Sequence, residues 1–285
     1  MKRHGQGEEQ PPREEYKRES REETARDFAR EVRIVHLERS FVVVEKPAGL
    51  STVLHPEDRE RLPKPQWPPT LERLLPPLIK RREGARAPKG PARPVRVVQR
   101  LDIGTSGLLV FARTPAAERA LGQQFRQHTV HRRYLALVRG NLERPRRLES
   151  LLVDDRGDGL RGSHPSRGKR AVTHAAPLEA LSGGTLVECR LETGRTHQIR
   201  IHLAEAGFPL WGETLYHRPF HGQPFHGHLL HSPVQPDDAP RVMLHAGELG
   251  FNHPETGKPM RFAVEPPEDF MLFLEKKRKQ TPPSR

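Results

Sequence analysis

The sequence predicts an α+β fold built on a mixed, largely antiparallel sheet with flanking helices. Two observations carry that reading: strand-like runs outnumber helical ones, and several strand-like runs are separated by gaps of hairpin length, with helices interspersed. A length of 285 residues fits one large domain or a domain with appendages.

Residues 1–28 are dense in Glu, Arg and Lys of nearly balanced sign, so they are expected to be a disordered tail or a solvated helix. Regular structure begins near Val32, and "FVVV" (41–44) reads as a short buried strand that ends in a Pro-Gly turn. Residues 55–94, rich in Pro, Arg and Lys, read as a long irregular insertion with one short helix around Leu71–Lys80. "VRVVQRL" (95–101) and "GLLVFA" (107–112) read as strands on either side of the turn "DIGTS". Thr114 as N-cap and Pro115 at the first helical position start a helix. "RRYLALVRG" (132–140) is a strand, residues 154–170 a flexible basic loop, and "GTLVECRLETG" (184–194) a long amphipathic strand. "RTHQIRIHLAEAG" (195–207) is a helix closed by Gly207. A late strand, "RVMLHAGELGF" (241–251), and a final helix, "PPEDFMLFLEKKRK" (266–279), complete the order. Gly104, Gly107 and Gly194 are expected at turns that need a positive φ, and Lys46 and Pro47 to fix a turn near the cleft.

Composition narrows the function. Lys and Arg number 49 against 36 Asp and Glu, a formal charge of +13, which favours polyanions and above all nucleic acid. The single cysteine, Cys189, excludes an intrachain disulfide framework and reads as a buried strand residue, pointing to a cytoplasmic protein. The first ten residues have no apolar core and read as no signal peptide. No run approaches the roughly 18 apolar residues of a membrane helix.

The chain contains no GxxxxGK[ST], GxGxxG or GxSxG, so neither a nucleotide cofactor nor a serine nucleophile of those types is indicated. His217, His221, His226, His228 and His231 crowd one segment, but without HExxH, a Cys pair or regular spacing they read as a surface loop rather than a metal site. What remains is Asp102 in "QRLDIGTSGLLVFAR" (99–113), a lone carboxylate in a basic chain. A carboxylate can act as a covalent nucleophile. An ordinary glycosidase needs a second acid nearby, and none stands out in a comparable turn. An aspartate acting alone needs a good leaving group, and uracil on ribose is one. The base can leave as a stabilised anion, stay in the pocket and rejoin through carbon, with no metal and no redox cofactor.

"RLDIGTSGLLVFA" resembles the catalytic motif of the RluA family of pseudouridine synthases. "VVVEKPAGLS" (42–51), "RRYLALVRG" (132–140), "ETGRTHQIRIHLAEAGFPLWGETLYH" (192–217) and "LHAGELGFNHPETGKPMRFAVEPPEDF" (244–270) resemble the family's other motifs, in the family's order. The resemblance implies the pseudouridine synthase fold, with a catalytic cleft across the sheet. It implies a catalytic domain over residues 29–277, followed by a basic tail, 278–285. It assigns Asp102 as the catalytic aspartate, Tyr134 as the residue that stacks on the flipped uracil and serves as general base, and Arg200 as the partner of Asp102. Ile199 would pack against the base, Arg100 would displace or replace the flipped nucleotide, and Arg195 and His197 would bind backbone phosphate. Each role has a physical motive: a cation keeps an aspartate charged, an aromatic face suits an unstacked base, and a planar guanidinium can fill the gap in the stack.

Gln99 stands where the family usually has His, and residues 1–28 are too short for the small RNA-binding domain that often precedes the catalytic one. The expected activity is isomerisation of uridine to pseudouridine in structured RNA, ribosomal RNA before transfer RNA, by a monomer that needs no cofactor or metal. A catalytically inactive RNA-binding or assembly factor that keeps the fold is the rival reading.

Overall fold

The structure is a computed structural model that describes residues 13–87, 89–216 and 238–281. The histidine-rich segment singled out above, 217–231, lies outside the described residues. Among the described residues eleven strands form one sheet: β1 (Arg33–Leu37), β2 (Phe41–Lys46), β3 (Arg96–Val97), β4 (Ser106–Ala112), β5 (His131–Arg139), β6 (Arg146–Val153), β7 (Gly162–His164), β8 (Lys169–Leu181), β9 (Gly184–Leu191), β10 (Leu244–Asn252) and β11 (Pro259–Ala263). Among the described residues six α-helices accompany them: α1 (Arg13–Glu31), α2 (Pro56–Arg61), α3 (Leu71–Glu83), α4 (Pro115–Arg126), α5 (Gln198–Glu205) and α6 (Glu268–Lys279).

The strand order is β1-β2-β4-β10-β5-β9-β8-β6-β7, with β3 also on β4 and β11 also on β10. Every pairing is antiparallel except β4 with β10, so the sheet is mixed and largely antiparallel as expected. Alternation sorts the side chains onto two faces. Val42, Val44, Leu109, Phe111, Tyr134, Ala136 and Val187 face α3 and α5, whose Leu71, Leu75, Ile199 and Leu203 complete that core. Phe41, Val43, Leu108 and Val110 face the other way, against Ala117 and Leu121 of α4. Leu137 and Trp211 on that side meet Phe270, Phe273 and Leu274 of α6.

The parallel β4–β10 junction is tight. Gly107 has φ 116°, and a Cβ there would lie 2.3 Å from the carbonyl oxygen of Ala246. Only glycine permits that approach. Thr114 caps α4 by accepting from the Ala117 amide at 3.2 Å, and Gly207, with φ 89°, follows the end of α5.

Several expectations need correction. Of the two alternatives for the N-terminal segment the structure has the helix, from Arg13 to Glu31, and the correction is that Phe28 near its end packs on the core. Within the 55–94 insertion the expected helix is present as α3, where Leu71, Leu75, Leu78 and Ile79 form a helical apolar stripe, and α2 is added before it. Only Arg96 and Val97 of "VRVVQRL" pair as a strand, so the loop that carries Asp102 is longer than the sequence implied. The basic loop of 154–170 contains β7. Gly104 and Gly194 do not have positive φ. No described helix is long and apolar enough to cross a membrane.

Candidate active site

A cleft of about 1250 Å³ opens on the α3/α5 face of the sheet, and Asp102, Tyr134, Ile199 and Arg200 all line it, with Arg100, Arg195 and His197. The sequence-predicted residues therefore converge, although they come from the β3–β4 loop, from β5 and from the start of α5.

Asp102 sits on a loop that is fixed at each of its neighbours. The Leu101 amide donates to Thr52 Oγ1 at 3.2 Å, and the Thr52 hydroxyl bonds the Leu101 carbonyl at 2.9 Å. The Ile103 carbonyl accepts from the Gly49 amide at 2.7 Å. Lys46 is fully buried, and its ammonium donates to the carbonyls of Pro47 and Leu50 at 2.8 Å each and of Ile103 at 3.3 Å. Burial pulls the Lys46 pKa down to about 7, against the attraction of Asp102. The Lys-Pro turn thus does what the sequence suggested: it secures the loop that carries the aspartate.

Tyr134 lies in the middle of β5, between β10 and β9, and is buried. Burial raises its pKa, which Arg132 opposes and Asp102 reinforces, so the phenol keeps its proton in the free protein. Ile199 is buried beneath the cleft, whereas Arg100 is exposed at its edge.

α5 begins at a backbone knot. Gln198 accepts from the Thr193 hydroxyl at 2.8 Å and the Arg195 amide at 3.0 Å, and donates to the Val172 carbonyl at 2.9 Å and to Thr173 Oγ1 at 3.0 Å. His197 precedes it in the left-handed region, φ 58°. This conformation is uncommon for a residue other than glycine and turns the histidine into the site.

The electrostatics differ from expectation in one respect. Arg200 reaches Asp102 only at 3.8 Å; its bidentate partner is Glu213, at 2.8 Å from Nε and 2.7 Å from Nη2. Glu213 Oε1 also accepts from the amides of Leu215 at 2.9 Å and Tyr216 at 3.3 Å. Burial opposes both charges, but the pairing outweighs it, so Arg200 is held above its ordinary pKa and Glu213 below. Glu213 therefore aims and charges the arginine that faces Asp102. The sequence offered one signal for it, a solitary acid in the otherwise apolar "FPLWGETLY".

His197 Nε2 stands 3.8 Å from the other Asp102 oxygen, and Nδ1 lies 2.6 Å from the Tyr216 hydroxyl. Burial lowers the His197 pKa despite Asp102 and raises that of Tyr216 to about 12. A phenol that keeps its proton donates to Nδ1, which leaves the ring N–H on Nε2, pointing at Asp102. His197 is thus placed beside the carboxylate, which does not match an exposed phosphate contact. Arg195 donates from Nε to the Arg170 carbonyl at 3.1 Å and lines the cleft. Among the described residues no group of His, Cys, Asp and Glu is arranged to hold a metal ion.

A lone aspartate faced by an arginine and a neutral histidine, beside a buried tyrosine, is arranged for chemistry at an electrophilic carbon. Comparison with known proteins bears on the family. The family model described as RNA pseudouridylate synthase matches residues 40–205. The ribosomal large subunit pseudouridine synthase D of Zymomonas mobilis is 37% identical over 243 residues, covering 85% of this chain and 71% of that protein. The protein of the same name from Neisseria meningitidis serogroup A is 36% identical over 242 residues, covering 85% and 60%. The chain thus spans about 60–70% of the length of these relatives. The solved structure of human RNA pseudouridylate synthase domain containing 4 shares the fold, with a TM-score of 0.66 at 21% identity over 91% of this chain and 97% of the human one. The cleft, the ordered motifs and the extent of the match place this chain in the RNA pseudouridylate synthase family.

Proposed function

We propose that this protein isomerises specific uridines to pseudouridine in RNA, with ribosomal RNA of the large subunit as its substrate. The observation that carries the reading is Asp102 on a secured loop, 3.8 Å from both Arg200 and His197, in one cleft with Tyr134. The relatives' names supply the substrate preference. At about 1250 Å³ the cleft exceeds the ~300–1,000 Å³ of small-molecule pockets. Six arginines line it, Arg100, Arg126, Arg132, Arg161, Arg195 and Arg200, against the acids Asp58, Asp102 and Glu118.

The phosphates of the RNA are drawn to this surface. The target uridine leaves its stack, Arg100 fills the gap, Tyr134 takes the base on its face, and Ile199 packs beneath it. Asp102 meets the sugar C1′ as the bond to N1 breaks and the electron pair leaves with uracil. The base turns within the cleft and C5 bonds to C1′. Tyr134 enters as the neutral phenol and gives its proton to N1 of the detached base; the phenolate, or a water it positions, then takes the C5 proton, which restores the phenol. No oxidant or cofactor enters this balance. The protein acts as a monomer in the cytoplasm, since one chain supplies the whole cleft and ribosomal RNA resides there.

Tritium release from 5-tritiated uridine in ribosomal RNA transcribed in vitro tests the reading. Wild type is expected to release tritium and Asp102→Asn to release none. Absence of release by wild type from any cellular RNA would instead identify an RNA-binding factor.

A further inference from the structure

Arg132 and Tyr134 are two residues apart on β5, so both project onto the cleft face. Arg132 is 8% exposed, yet its Nε and Nη2 are buried without a hydrogen-bond partner. The other buried guanidinium, Arg200, is held by Glu213, and the half-buried Arg241 by Asp269. Among the described residues no carboxylate pairs with Arg132. The charged group that bears on Arg132 is another cation, Arg195, and Arg132 and Arg195 both bear on His128, as do Arg170 and, with opposite sign, Glu192. A buried cation without a counter-charge is expensive to fold.

The surroundings nevertheless make room for it. A Cβ on Gly194 would lie 2.4 Å from Arg132 Nη1, so the glycine in "ETGRTH" clears space for the guanidinium. The ring of Phe125, 5.9 Å from Cζ, supports its plane. A planar fork with unused donors, surrounded by positive charge, matches an anion with two acceptor oxygens. Its distance along the strand from Tyr134 is about 7 Å, within the reach of one nucleotide.

We propose that Arg132, with Arg195 and His128 beside it, forms a phosphate site that clamps the RNA backbone next to the everted uridine. The inference rests on the reading of the chain as an RNA-modifying enzyme, and it assigns a substrate group to a residue that the motif resemblance left without a role. The missing counter-charge of Arg132 arrives with the substrate.

The test compares wild type, Arg132→Gln and Asp102→Asn on large-subunit ribosomal RNA transcribed in vitro. Filter binding is followed from about 50 to about 200 mM salt, alongside tritium release and thermal midpoints. Arg132→Gln is expected to flatten the log–log salt slope by roughly 0.7–0.9, the share of one phosphate. It should also reduce kcat/KM about tenfold or more and leave the midpoint equal to or above that of wild type. Asp102→Asn should keep the wild-type slope. An unchanged slope in Arg132→Gln, with or without a lowered midpoint, overturns the proposal and makes Arg132 structural. If Arg132→Gln does not fold, Gly194→Ala displaces the guanidinium while keeping its charge, and a wild-type slope with wild-type kcat/KM there overturns it equally. Wild type that binds but releases no tritium refutes the isomerase reading, while the slope comparison still decides the phosphate site.

Discussion

Replacing Glu213 with glutamine isolates the electrostatic support of Asp102. The carboxylate makes two charge-assisted bonds to Arg200 and accepts two backbone amides. The glutamine oxygen can keep the amides of Leu215 and Tyr216, but its NH2 then faces Arg200 Nε, donor against donor. Arg200 would be left buried, with Asp102 at 3.8 Å as its nearest carboxylate. Breaking a buried pair on one side costs about 3–5 kcal/mol, and at about 2–4 °C per kcal/mol the melting midpoint should fall by roughly 6–20 °C. The pH dependence has a definite sign. Glu213 has its pKa lowered from 4.5 in the folded state, so its stabilisation is present above pH 4.5 and is lost as pH falls through the lower folded value. Wild type should therefore lose stability below pH 4.5 more steeply than Glu213→Gln, whose midpoint lacks that component. Calorimetry at pH 7 and across pH 3–5, with tritium release at pH 7, measures all of this; turnover should drop because Arg200 no longer holds its place. A midpoint within 1 °C of wild type and an identical acid profile would refute the reasoning.

Three further outcomes follow from the same geometry. Tyr134→Phe should bind RNA normally and lose most turnover, and undiminished tritium release would remove the tyrosine oxygen from proton transfer. Lys46→Met strips the donors from three carbonyls, each worth about 1–3 kcal/mol if left unsatisfied; the midpoint and kcat should both fall, and intact kcat would show that Asp102 is positioned without it. Gly107→Ala forces a Cβ to within 2.3 Å of the Ala246 oxygen, so little folded protein should be recovered, and a wild-type melting curve would contradict the tight β4–β10 junction.

The parts of the fold legible in the sequence are those buried on both faces. "FVVV", "GLLVFA" and the later half of "RRYLALVRG" are continuous or nearly continuous apolar runs because helices cover the sheet on each side. β6 and β8 carry no such signal: "RRLESLLV" lies toward the sheet edge and is mostly accessible, and β8 contains Pro177 where its register shifts. The site shows the same division. Asp102, Tyr134 and Arg200 each lie in a distinctive motif, whereas the bond between Arg200 and Glu213 depends on a turn that returns the chain across thirteen residues. Nothing in "RRYLALVRG" sets Arg132 apart, because its surroundings depend on Gly194 and Phe125, which lie far from it or on another element.

β10 is made late and sits in the middle. Ribosomes deliver residues 244–252 after nearly all the other strands, yet this segment joins β4 to β5 and fuses the two halves of the molecule. Until it emerges, the nascent chain holds two partial sheets with bare inner margins and a cleft whose walls are not yet fastened together. Such margins invite mispairing, so truncation anywhere before His245 should yield aggregation-prone, inert protein, and chaperone capture during synthesis should peak just before that strand is translated.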